Sequence, residues 1–198
     1  MIGPAGVRRA TRSDRSAVTA TVAQAFADDQ AWRYLLGADY LAHAPHFAGA
    51  LFDGRVDDGT VWLVADGSAV AMWDRPRTAQ ATGPMRPDIW EDYAQRVGPA
   101  ASARLAAYDD ACSQVKPITP YWYLGVLATR PDRQRQGVAS AVMAPALGLA
   151  DEAGVACCLE TSSTKNRAYY DARGFTLATP VPWSGPATWW LRRPCLPA

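Results

Sequence analysis

Histidine and lysine are almost absent from this chain of 198 residues: His43 and His46 are the only histidines, Lys116 and Lys165 the only lysines. Four cysteines form no C-x-x-C pair, and none lies at a ligand spacing from either histidine, so no metal site is expected. Cys157 and Cys158 stand side by side in an apolar run, where successive strand side chains point to opposite faces, and read as buried free thiols. An excess of charge of one sign is also missing. With 20 Lys+Arg against 19 Asp+Glu and a formal net charge of +1, the broad basic face that nucleic acid requires is not expected. No stretch approaches the ~20 apolar residues of a membrane span, and the first eleven residues carry no apolar leader, which points to a cytoplasmic protein without membrane contact. Neither the G-x-x-x-x-G-K-[ST] loop nor the three-glycine dinucleotide fingerprint occurs. There is no internal repeat or composition break, so residues 1–198 are expected to form a single domain.

What is present suffices for a core. The chain is 49% hydrophobic, and a domain of this length buries roughly 70% of the surface its unfolded chain exposes. A first strand is expected at residues 7–9, followed by a helix capped from Thr11 whose apolar positions are Val18, Val22 and Phe26. The pattern lapses over 28–32, and helical rhythm resumes over 40–52. The runs at 60–65 and 69–73, joined by Asp66-Gly67, predict a β-hairpin. After a Pro- and Gly-rich loop, two helices are expected at 89–97 and 100–112, broken at Gly98-Pro99. The second half reads strand 121–129, helix 137–153, strand 155–161, short helix 166–172, then strands at 175–181 and 188–192. Strand, helix, strand requires a right-handed crossover and a parallel pair inside a mixed sheet.

The turn Arg135-Gln136-Gly137-Val138-Ala139-Ser140 lies between an apolar strand and an amphipathic helix. Free N–H groups and the positive end of the helix dipole at such a place suit phosphate, and small residues let it approach the backbone. By itself Q-x-x-G-x-A is equally a helix-capping glycine. Downstream come Leu159-Glu160-Thr161-Ser162 at a strand end and Asn166-x-x-x-Tyr170-x-x-x-Gly174-Phe175. Taken together, this succession resembles the GNAT superfamily of acyl-CoA N-acyltransferases. Within it, segments 7–30 and 122–193 are most similar to the puromycin N-acetyltransferase subfamily, whereas 75–120 is least similar.

The resemblance implies an α/β (α+β) GNAT fold, a central mixed, partly splayed sheet flanked by helices, with acetyl-CoA as co-substrate. It implies that the backbone of Leu127, Ala128 and Thr129 pairs with the pantetheine arm, that Arg135, Gln136, Gly137, Val138, Ala139 and Ser140 hold the pyrophosphate, and that Asn166 contacts the cofactor. Arg135 and Ala139 stand where the fuller motif has glycine. The plainer readings are a core strand for 127–129 and a helix cap for Asn166.

Tyr170, rather than its neighbour Tyr169, falls four residues before Gly174 and is the expected proton donor to the departing thiolate. A tyrosine that only packs there is the alternative. Glu160 is the candidate base for the amine; the competing view is a carboxylate capping Ser162 or Ser163. Asp28 and Asp29 stand where a cationic amine could be attracted, or are solvated loop charges. Trp32, Tyr34, Trp90, Tyr93 and Trp122 are candidate walls of an acceptor pocket, with Trp32 and Trp122 foremost, or ordinary core. The expected reaction is acetylation of a primary amine on a small molecule, such as a puromycin-like aminonucleoside antibiotic, in resistance or biosynthesis. The partner is thus a small-molecule amine, and the protein a monomer or homodimer. The alternatives are acetylation of a protein or peptide amine, and a non-catalytic acetyl-CoA binder that sequesters a drug.

Overall fold

Seven strands, the central ones rich in valine, leucine, alanine and tryptophan, hydrogen-bond into one sheet in the order β1-β2-β3-β4-β5-β7-β6. The computed structural model describes residues 6–77 and 86–195. Strands β1 (Val7–Arg9), β2 (Val61–Val64), β3 (Ala69–Asp74) and β4 (Tyr121–Thr129) form an antiparallel run; β4 and β5 (Ala156–Thr161) run parallel; β6 (Leu177–Pro180) and β7 (Trp189–Arg193) close the far edge, antiparallel to each other. The mixed sheet with a parallel pair agrees with the sequence reading.

Helices cover both faces. On one lie α1 (Arg15–Ala25), α2 (Gln30–Leu36), α3 (Tyr40–Asp53) and α4 (Pro87–Ser113); on the other, α5 (Val138–Glu152) and α6 (Thr164–Asp171). The helix α4 is two helices meeting at Gly98, whose φ of 78° is non-helical, as the Gly-Pro pair predicts. The apolar faces meet the sheet in the expected way: Val18 and Val22 of α1 pack with Val70 and Met72, while Val142 and Met143 of α5 pack with Ala71 and Trp73. Cys157 and Cys158 go to opposite faces as anticipated, and both thiols are free and buried.

The lapse at 28–32 proves to be the start of an extra helix. Asp29 caps α2, its Oδ1 accepting the Trp32 N–H at 2.9 Å, and Gly37 at φ 74° ends it. A seven-residue helix is too short to show a periodicity, which is why the segment reads as a loop from sequence.

One irregularity shapes everything that follows. The β3–β4 register slips between Met72 and Trp73: Met72 pairs with Val126 but Trp73 pairs with Leu124, so Gly125 is a bulged residue. The bulge reverses the alternation of β4. Before it Trp122 and Leu124 face α5; beyond it Val126 and Ala128 face α1 and α3. Pairing of β4 with β5 also stops at Leu124 and Leu159, and beyond that point the two parallel strands splay.

Candidate active site

A cavity of about 1010 Å³ fills the gap left by the splayed strands. Its lining comes from both sides of the sheet: Leu127, Asn166 and Tyr170 from the α5/α6 side, Glu160, Tyr123 and Trp32 from the side of α1–α4. The opening therefore crosses the sheet, with Glu160 and Tyr170 among its lining residues.

Glu160 follows directly after Leu159, the last residue of β5 that pairs with β4. Its Oε1 accepts the Tyr123 hydroxyl at 2.6 Å, while Oε2 is buried without a partner. Burial pushes its pKa up to about 7, the Tyr123 hydrogen bond and the charges of Lys116 and Arg55 opposing the rise. The capping alternative is not what the structure shows: the Ser163 N–H is taken by Thr161 Oγ1 at 3.3 Å.

Tyr170 is buried, 8% exposed, and burial raises its phenol pKa above the ordinary value, so it keeps its proton. The adjacent Tyr169 is occupied elsewhere, its hydroxyl 3.2 Å from Ser140 Oγ and its ring beneath the Arg173 guanidinium at 3.5 Å. Asn166 lines the cavity, and the helix-cap alternative falls to Ser163, whose hydroxyl accepts the Asn166 N–H at 3.2 Å.

At the turn, Gly137 caps α5 with φ 81°, and the first intrahelical bond runs from the Ala141 N–H to the Gly137 carbonyl. The amides of Val138, Ala139 and Ser140 thus precede the helical ladder and are free to bind an anion. A Cβ on Gly137 would stand in open space before them. Arg135 and Gln136 are exposed beside it, whereas the Val138 side chain is core and contributes only its backbone. Ser140 Oγ accepts from Arg173 Nη2 at 2.6 Å, a latch between α5 and the end of α6 that the sequence reading missed. Leu127 lines the cavity, Ala128 is packed in the core, and Thr129 Oγ1 is buried without a partner at the strand end nearest the turn. Open space at Gly137, unpaired amides and an orphaned hydroxyl fit the pantetheine and phosphates of acetyl-CoA.

On the opposite side the wall is aromatic. Phe26 stacks on Trp32 at 4.3 Å, Trp32 meets Phe47 edge-on at 4.7 Å, and Trp90 and Tyr93 adjoin Phe47. All five line the cavity. Two expected wall residues lie elsewhere. Trp122 points toward α5, edge-on to Trp73, because its position before the bulge faces that side; Tyr34 packs against Trp183. Asp29 reaches the cavity, but its carboxylate is spent on capping α2 and on the Ser162 hydroxyl at 3.3 Å, and the exposed Asp28 is outside the lining. Phe26, Phe47 and Tyr123 were not singled out from sequence; their proximity is set by tertiary packing. No group of His, Cys, Asp or Glu suited to a metal occurs among the described residues.

The model of the acetyltransferase (GNAT) family matches residues 24–175. The chain belongs to that family. It is an acetyltransferase, and its family uses acetyl-CoA. The acetyltransferase also superposes on solved structures over nearly its whole length. One is a histone acetyltransferase HPA2 and related acetyltransferase from Corynebacterium glutamicum, 22% identical with a TM-score of 0.67, covering 97% of each chain. Another is arylalkylamine N-acetyltransferase 2 from Aedes aegypti, 8% identical with a TM-score of 0.64, covering 96% of this chain and 98% of that one. A third is an agmatine N-acetyltransferase, 12% identical with a TM-score of 0.60, covering 94% and 97%. At these identities the likeness is one of fold.

Proposed function

We propose that this acetyltransferase transfers an acetyl group from acetyl-CoA to the primary amine of a small molecule that carries an aromatic portion. The observation that carries the reading is the single cavity in which the Glu160 carboxyl, the Tyr170 phenol and a wall of five aromatic rings come together. Acetyl-CoA supplies the activated acetyl group as a thioester, held by the amides at 138–140, Arg135, Asn166 and the backbone of 127–129. Backbone N–H groups of β4 that face the gap beyond the bulge polarise the acyl oxygen. Glu160 takes the proton of the amine nitrogen as the C–N bond forms, and a pKa near 7 lets it do so at neutral pH. Tyr170 gives its phenolic proton to the sulfur as the C–S bond breaks. Its raised pKa ensures that the proton is there to give.

The rings favour a flat group next to the amine. A puromycin-like aminonucleoside is one such acceptor, supported by the resemblance of segments 7–30 and 122–193, and it carries the reading of antibiotic resistance or biosynthesis. We place the reaction in the cytoplasm, a setting in keeping with three buried free thiols.

The test is a thiol-release assay with acetyl-CoA against arylalkylamines, puromycin, agmatine and short peptides. Aromatic amines are expected to turn over best, with activity rising through about pH 7 as Glu160 ionises. Glu160→Gln should lower kcat by about 10²–10⁴ and abolish that rise. Binding of acetyl-CoA without thiol release from any amine would overturn the reading in favour of sequestration, and preference for peptides would move the acceptor to a protein.

A further inference from the structure

Among the described residues, Tyr123 is the one hydrogen-bond donor to a Glu160 oxygen. The ring stacks parallel on Trp190 with centroids 5.6 Å apart and planes inclined by 4°, and Trp190 is the cross-strand partner of Glu160. A Cβ at Gly125 would come within 3.2 Å of Tyr123 Cε1, so the bulge glycine leaves the ring its room. The ring so stacked presents its hydroxyl to Glu160 Oε1, 2.6 Å away. Filling one carboxylate oxygen leaves Oε2, the buried and unpartnered atom, to receive a proton.

We propose that Tyr123 is the positioning residue of the catalytic base: it fixes the Glu160 carboxylate through Oε1 and reserves Oε2 for the proton of the acceptor amine. The proposal rests on the assignment of Glu160 as base. The hydrogen bond also favours the charged form of Glu160, so it offsets part of the effect of burial. The other groups facing Glu160 are Tyr108, Asp109 and Cys112 from α4, Lys116 beyond it, Arg55 beyond α3, Tyr121 of β4, Cys158 of β5 and Tyr170 of α6. The tyrosines and cysteines among them have pKa values raised by burial and stay neutral around pH 7, whereas burial also raises the Asp109 carboxyl, so the site-resolved NMR signal of Glu160 is what separates the two carboxyls.

The experiment uses Tyr123→Phe, which keeps the ring on Trp190 and deletes only the hydroxyl. The acid limb of the kcat/KM–pH profile should move up by about one pH unit, as loss of a charge-assisted hydrogen bond implies, and the plateau above it should fall as the carboxylate loses its fixed orientation. The Glu160 carboxyl, followed by ¹³C NMR without substrate, should titrate higher by the same amount. 3-Fluorotyrosine at position 123, a stronger donor in an unchanged fold, should move both downward, and it decides the matter if the phenylalanine variant does not fold. A limb and a carboxyl titration that stay in place in the folded variant overturn the proposal. If Glu160→Gln retains the limb, the base assignment itself fails, while the NMR titration still reports whether Tyr123 sets the carboxyl.

Discussion

Arg135 occupies a backbone conformation that L side chains avoid, with φ 62°, at a position where the fuller family motif has glycine. The turn has kept the left-handed geometry and accepted a cost of about 1–2 kcal/mol for it. In the proposed reading the exposed guanidinium adds charge to what the amides of 138–140 offer a phosphate. Arg135→Gly separates the two effects. Thermal stability should rise by about 2 °C, the strain being relieved and partly offset by the freer unfolded chain, while KM for acetyl-CoA rises several-fold; melting curves and initial rates read both. At this scale much was legible. The spacing to Gly174 distinguished Tyr170 from Tyr169, and the structure shows why the distinction matters, because Tyr169 is bound to Ser140 and Arg173 whereas Tyr170 lines the cavity. The spent carboxylate of Asp29 was not legible, since its partner Ser162 lies 133 residues further along the chain.

At the scale of elements, the bulge in β4 organises the site. Gly125 is required there by crowding: a Cβ would lie 2.8 Å from Arg55 Nη2. Arg55 is 7% exposed and pairs with Asp74 at the end of β3, Nε to Oδ1 and Nη2 to Oδ2 both at 2.8 Å, while Nη1 donates to the Leu51 carbonyl at 2.9 Å. This pair ties the end of α3 to the strand opposite the bulge. Asp74→Ala leaves the guanidinium buried without its counter-charge, and should cost about 3 kcal/mol in urea denaturation, with a lower midpoint and an unchanged slope. Strand and helix positions in the second half of the chain were close to their expected ranges, and β4 and α5, of nine and fifteen residues, are long enough for their periods to show. The reversal of facing in β4 was hidden because buried and partly buried residues still alternate along the whole strand; the bulge changes which helices they meet, and an uninterrupted period of two cannot report that. The placement of Trp122 away from the cavity is one result.

For the molecule as a whole, the cavity is a property of the sheet, opened where β4 and β5 part and roofed by helices from both faces. Acetyl-CoA at about 100 times its Kd should stabilise the fold by about 2.7 kcal/mol, raising Tm on the order of 5–10 °C. Differential scanning calorimetry of Gly137→Val should show that shift lost, because the side chain is strained at φ 81° and fills the space before the free amides; Glu160→Gln should retain it. The sequence by itself determined what depends on neighbours along the chain: the mixed α/β succession, the turn at 135–140, the Asn166–Tyr170–Gly174 spacing and the absence of bulk charge. These are local because helix caps, hairpin turns and amide cradles are built from residues a few positions apart. Only the tertiary structure decided the rest. The phenol of Tyr123 reaches Glu160 across two strands, and the aromatic wall gathers rings from α1, α2, α3 and α4, since side chains far apart in sequence are brought into contact by the burial of a common core.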